Sequence, residues 1–227
     1  MATEKPATLK QWQKMFKEIY GKTNSGLRAS DIWLHLMEEA GEVAKAMRKE
    51  DFLHLQQDLP DIFAWLCSFA NRTGIDLEDA LWQKYPSVCP YCLQDKYCVC
   101  IAESHDTYDD VRLVGYRKQN HKPVEFAEWE KMFRDIYGNV NLVLSRASIG
   151  FHLMEEIGEV ARFLRSEDPI KYKIEIADVF AWLLAIPMKL PEIDGLDEIT
   201  WQIYPGICKR CHSSPCVCEG KMKVPRL

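Results

Sequence analysis

The chain lacks the features that would mark it for a membrane, for export or for a broad nucleic-acid surface. No apolar run in its 227 residues approaches the roughly 20 needed to cross a bilayer. The opening stretch, Met1 to Ala7, carries no basic–apolar leader pattern. A net charge of −5 offers no cationic excess with which to neutralise a phosphate backbone. Strand-type alternation is scarce, which argues against a sheet-built domain. These absences lead to the expectation of a cytoplasmic protein with neither membrane nor nucleic-acid partners.

What is present belongs to a globular chain. Apolar residues make up 47% and charged residues 28%, enough for one large or two small packed domains. Nine cysteines without an export signal point to metal binding before disulfides.

The chain is written twice. Gln11-Trp12-Gln-Lys-Met-Phe16-Lys-Glu-Ile-Tyr20-Gly21 returns as Glu128-Trp129-Glu-Lys-Met-Phe133-Arg-Asp-Ile-Tyr137-Gly138. The offset is 117 residues through Trp65 and Trp182, then 119 at Trp82/Trp201 and Cys89/Cys208. The expected units are 1–102 and 125–220, joined by a polar linker at 103–124 and followed by a frayed tail at 221–227. Each unit reads as helical. Thr8 and Gln11 form a capping box, and Leu9, Trp12, Phe16 and Ile19 follow helical spacing up to a stop at Gly21, or Gly138 in the second copy. A second helix is expected over Ser30 to Arg48. A third starts near Asp51 or, in the second copy, at Pro169, and a short fourth covers Asp76 to Lys84 or Leu196 to Ile203. The expected fold class is all-α: two tandem helical-bundle units, each ending in a small four-cysteine knuckle.

Acidic residues stand where a core should be. Glu156 and Glu159 share a helix face, as do Glu175 and Asp178, and all four sit among apolar neighbours. Glu39 and Glu42, then Asp58 and Asp61, repeat the arrangement in the first copy. Antiparallel pairing of the second and third helices brings the pairs together. Carboxylates so gathered repel one another and lose hydration, which a bound cation relieves. All-oxygen ligands select a hard ion, Mg²⁺ or Mn²⁺. A ferritin-like di-iron site needs Glu-x-x-His pairs, and neither copy has one.

Glu-Glu-x-x-Glu followed by Glu-x-x-Asp on an all-α unit resembles the MazG-type all-α nucleoside triphosphate pyrophosphohydrolases. The resemblance covers about Leu9 to Lys84 and Phe126 to Ile203. It implies Mg²⁺ ligands Glu156, Glu159, Glu175 and Asp178 in the second copy, and Glu39, Glu42, Asp58 and Asp61 in the first. It implies attack at the α–β junction of a nucleotide, releasing a monophosphate and pyrophosphate. The leading glutamates Glu38 and Glu155 are expected to reach a further metal or a water, whose proton either could accept. Dimeric assembly in the family implies that a tandem chain folds as an internal pseudo-dimer, with homodimerisation beyond that left open. The first copy departs at Asp58, one methylene short of the expected glutamate, and at Pro60, which either breaks the third helix or bends it. Those departures keep a second reading in play: a nucleotide-binding sensor or scaffold with one or both sites inactive.

Around the acids, His35 and His152 lie one turn before a ligand glutamate. Lys45, Arg48, Arg162 and Arg165 follow the motif at phosphate-pairing spacings. Trp12 and Trp129 are candidates for stacking on a base, and Trp65 and Trp182 for the core. Cys89, Cys92, Cys98 and Cys100, with Cys208, Cys211, Cys216 and Cys218, supply four thiolates twice. That pattern reads as structural Cys₄ zinc, with iron–sulfur as its rival. Cys67 reads as a buried core thiol.

Overall fold

The computed structural model describes residues 4–100 and 110–218. The tail expected at 221–227 and the start of the linker lie outside the described residues. Helices α1 (Leu9–Asn24), α2 (Ala29–Lys49), α3 (Phe52–Thr73) and α4 (Leu77–Lys84) build the first copy. Helix α5 (Asp110–Gln119) lies in the linker. Helices α6 (Phe126–Val143), α7 (Arg146–Arg165), α8 (Pro169–Lys189) and α9 (Leu196–Ile203) repeat the set. No strand occurs among the described residues, and no helix there is long and apolar enough to cross a membrane.

Local chemistry accounts for most boundaries. The Thr8–Gln11 capping box opens α1, and the Asp168 side chain caps α8 with Pro169 in its first turn. Two expectations need correction. Helix α1 runs through Gly21 to Asn24, and α6 runs through Gly138 to Val143. A single glycine costs a helix only about 1 kcal/mol, which the buried stripes of Trp12, Phe16 and Ile19 and of Trp129, Phe133 and Ile136 offset. Helix α3 is also unbroken at Pro60, which is buried inside it. The linker is not plain coil: α5 packs on α4, Arg117 donates to the Gln83 carbonyl, and Asn120 Nδ2 donates to Pro86 O at 2.6 Å.

The two copies share one core rather than two. Within each copy the long pair packs together, α2 on α3 and α7 on α8. The short helices cross over: α4 lies on α8 and α9 lies on α3, while α2 meets α7 along the pseudo-two-fold. Trp33 Nε1 donates to Ile157 O at 3.0 Å across that seam. Phe63 of the first copy contacts Phe126 and Phe180 of the second, with ring centroids 5.9 and 5.7 Å apart. Cys67 is fully buried, as expected.

The knuckles cross over as well. Cys98 N donates to Ile136 O at 2.8 Å, and Cys216 N donates to Ile19 O at 2.7 Å. Ile19 and Ile136 are themselves counterparts, so each knuckle is strapped to the first helix of the other copy. Tyr137 hydrogen-bonds to Cys89, and Tyr20 to Cys208. These bonds repeat under the pseudo-two-fold although the knuckles differ in length by one residue.

Candidate active site

Helices α7 and α8 place the second acidic set. Carboxylate oxygens of Glu156, Glu159 and Glu175 lie within 4.8 Å of one another. Asp178 lies beside them with both oxygens engaged: Tyr85 donates to Oδ1 and Lys84 to Oδ2. Lys84 Nζ is also 3.6 Å from Glu175 Oε2. Both partners come from the first copy, carried by α4 onto α8. The second cradle is therefore built from both copies.

Charge is still unbalanced there. Burial, with the charge of Asp178 adding to it, pushes the Glu156 carboxyl up to about 8. Burial raises Glu175 to about 7, against the opposing pull of Lys84. Burial alone would lower the Lys84 ammonium, but Asp178 and Glu175 outweigh it and hold Lys84 above its ordinary range. Three glutamates and an aspartate face the Lys84 ammonium and the Arg162 guanidinium, which leaves negative charge in excess. The oxygen donors and the residual negative charge suit a hard divalent cation held by Glu156, Glu159 and Glu175.

The leading glutamate stands apart. Glu155 is exposed, with Oε2 2.9 Å from His152 Nδ1. His152 stacks on Trp182 at 4.4 Å, and Glu38, His35 and Trp65 repeat the arrangement at 2.9 and 4.7 Å. Trp65 and Trp182 are partly buried and pack against both the core and the histidines. Arg162 reaches Glu159 at 3.5 Å and lines the cleft; Arg165 and Arg48 are exposed, and Arg165 does not line the cleft.

The first acidic set does not close. Its four carboxylates do not form such a group among the described residues. Glu42 is exposed and paired to Lys45 at 2.6 Å, which lowers its pKa. Asp61 accepts from Tyr204 and Lys209, and Glu39 accepts from the Trp65 indole. Burial, then Asp61, raises both Glu39 and Asp58. Tyr204 is the counterpart of Tyr85, but Lys209 is not the counterpart of Lys84. Under the 119-residue offset Lys84 matches Ile203, and Lys209 matches Pro90. Each aspartate receives one ammonium from the opposite copy by a different route.

Trp12 and Trp129 present no face to a ligand. Both are 0% exposed, Trp12 is packed among Phe16, Phe63, Phe126 and Trp201, and neither indole nitrogen has a hydrogen-bond partner in the described residues. The base-stacking expectation for them is corrected. Sequence reasoning also missed Lys84, Tyr85, Tyr204 and Lys209 as site residues. The repeated Tyr-Pro at 85–86 and 204–205 was the available signal.

The knuckles have metal geometry. Sulfur separations run from 3.6 to 4.0 Å in the first and from 3.5 to 3.9 Å in the second. Thiolates at about 2.3 Å from a tetrahedral zinc sit roughly 3.8 Å apart, whereas a disulfide needs about 2.05 Å. Cys89, Cys98 and Cys100 also wall the cleft over the second cradle, with Tyr91 beside them.

Residues 29–93 match the family model of the MazG nucleotide pyrophosphohydrolase domain. The comparisons with curated proteins and with solved structures gave no significant match. The MazG-like stretch runs from α2 into the first knuckle, so it contains the acids of the first cradle together with Lys84 and Tyr85, which serve the second. The match covers less than a third of the chain and makes that stretch similar to a MazG domain.

Proposed function

We propose that the chain is a divalent-metal-dependent nucleoside triphosphate pyrophosphohydrolase that works at the second cradle and releases a nucleoside monophosphate and pyrophosphate. The convergence of Glu156, Glu159 and Glu175 within 4.8 Å carries this reading. They lie in a cleft of about 1340 Å³ on a chain with a MazG-like stretch. These glutamates would hold Mg²⁺ or Mn²⁺, with Asp178 beside them. The bound ion would neutralise phosphate oxygens and acidify a coordinated water.

The chain's own groups do the remaining work. Lys84 brings an ammonium into the cradle and can pass a donor from Asp178 to a phosphate oxygen as substrate enters. Arg162 stands at the cleft wall to pair with the triphosphate. Glu155, held by His152, takes the proton of the attacking water. The stack on Trp182 fixes the imidazole plane, so Glu155 has an oriented partner. The four cysteines of each knuckle would hold zinc in a structural role.

The first cradle is assigned a non-catalytic role. The ion pair of Glu42 with Lys45 and the shorter Asp58 favour this, and the sensor or scaffold reading applies to that half of the molecule.

The test is a pyrophosphate assay over ribo- and deoxyribonucleoside triphosphates with Mg²⁺. Glu159→Gln is expected to abolish most turnover and Glu42→Gln to leave most of it. Binding without turnover of any nucleotide would sink the enzyme reading. Loss of activity in Glu42→Gln alone would move catalysis to the first cradle.

A further inference from the structure

The cleft extends beyond the acids along α8. Glu175, Asp178, Trp182, Ala185 and Met188 all line it, at the spacing of one helix face. At 1.5 Å per residue, Ala185 lies about 10 Å and Met188 about 15 Å along the axis from Asp178. The far end is closed by the last turns of α6, where Val140 and Leu144 are apolar and Asn141 is the single carboxamide.

Asn141 is an unusual residue for such a place. It is 6% exposed, it lines the cleft, and its carboxamide has no hydrogen-bond partner among the described residues. The carboxamide atoms are not sealed from solvent as the Trp12 and Trp129 indole nitrogens are, so they open onto the cleft. The corresponding end of the first copy keeps the asparagine, as Asn24, but changes the wall and the space around it. Ser68 and Asn71 replace Ala185 and Met188, Asn71 is tied to Gln13, and the separate cavity there is about 140 Å³.

Resting on the nucleotide reading of the same cleft, we infer that this far end is the base-binding subsite and that Asn141 selects the base. The walls of Trp182, Ala185 and Met188 cover the faces of a planar heterocycle. The Asn141 carboxamide, with one acceptor and two donors, pairs with an edge that carries adjacent donor and acceptor atoms. The ligand class is a nucleoside triphosphate with an unblocked Watson–Crick edge, and inorganic triphosphate fills only the acidic end.

The experiment is calorimetric binding to the full, metal-loaded chain. The probes are the α,β-methylene triphosphates of the common nucleosides and inorganic triphosphate, each with Mg²⁺. The wild-type chain is expected to bind at least one nucleotide analogue about tenfold or more tightly than inorganic triphosphate. Asn141→Leu is expected to remove that advantage, by about tenfold or more, while leaving inorganic triphosphate binding unchanged. Asn141→Asp, which keeps the size and loses the donors, is expected to reorder the preference among bases. Equal binding of every nucleotide by wild type and both variants overturns the subsite, as does a wild-type affinity no better than for inorganic triphosphate. Because binding is read without turnover, an inactive enzyme with an intact base preference refutes the hydrolase reading and leaves this one standing.

Discussion

Asp178 is clamped from the opposite copy, with Tyr85 donating to one carboxylate oxygen and Lys84 to the other. The second cradle therefore draws the partners of its aspartate from the other repeat. Lys84 has a side chain only 4% exposed, so removing its charge leaves Asp178 buried against a hydroxyl only. Lys84→Met is expected to lower stability by about 3 kcal/mol, read by urea unfolding. Loss below 1 kcal/mol would show that water or another cation already serves Asp178.

The cradle also sets a pH dependence. Glu156 is pushed up to about 8 and Glu175 to about 7, above their unfolded value of 4.5. Between pH 4.5 and 8 the folded metal-free chain therefore binds more protons than the unfolded chain. Its stability is full below about 4.5 and falls as pH rises toward 8. Thermal melts of chelated protein are expected to show that fall, with Mg²⁺ restoring the loss most strongly at pH 8. A metal-free melting temperature that climbs over this range would contradict the electrostatics.

Zinc retention should depend on the other copy. Tyr137, on α6, hydrogen-bonds to Cys89 of the first knuckle. Such partners typically tune metal affinity by tenfold or more. Tyr137→Phe is expected to weaken one of two zinc sites by about tenfold, measured by competition with a chromophoric chelator, and Tyr20→Phe to do the same to the other. Two sites of unchanged affinity in both variants would remove the cross-copy support.

Glu130 occupies the place that Gln13 holds in the first copy. Gln13 accepts from Leu77 N at 3.0 Å and donates to Ile75 O at 2.7 Å. Glu130 accepts from Leu196 but has no N–H to give, and burial, followed by Asp197, raises its pKa to about 7. Its folded pKa exceeds the unfolded one, so its ionisation costs stability progressively between about 4.5 and 7. Glu130→Gln is expected to stabilise the chain by about 1 kcal/mol at pH 8, after allowance for partial solvent screening, and by little at pH 4.5. Urea titrations at the two pH values decide it; equal gains at both would point to packing instead of charge.

Much of this molecule can be read from its residues. The repeat, the helix count in each copy, the Thr8 cap and Pro169 start follow from spacing and local chemistry. So does the grouping of Glu156 and Glu159 opposite Glu175, because helical period fixes which side chains share a face. Gly21 and Pro60 misled for a physical reason. Local propensity is worth about 1–3 kcal/mol, and the burial of α1 and α3 in the shared core outweighs it.

The sequence by itself determined two helical repeats, two sets of thiolates and an acidic motif in each copy. These are local facts, written at fixed offsets of three, four and seven residues. Only the tertiary structure decided that the fourth helices and knuckles exchange copies. Spacing within a repeat cannot say which of two nearly identical partners a short helix packs against. That exchange puts Lys84 and Tyr85 on Asp178, and Lys209 and Tyr204 on Asp61. It also separates the cradles: Glu42 turns to Lys45 in one, while three glutamates converge in the other.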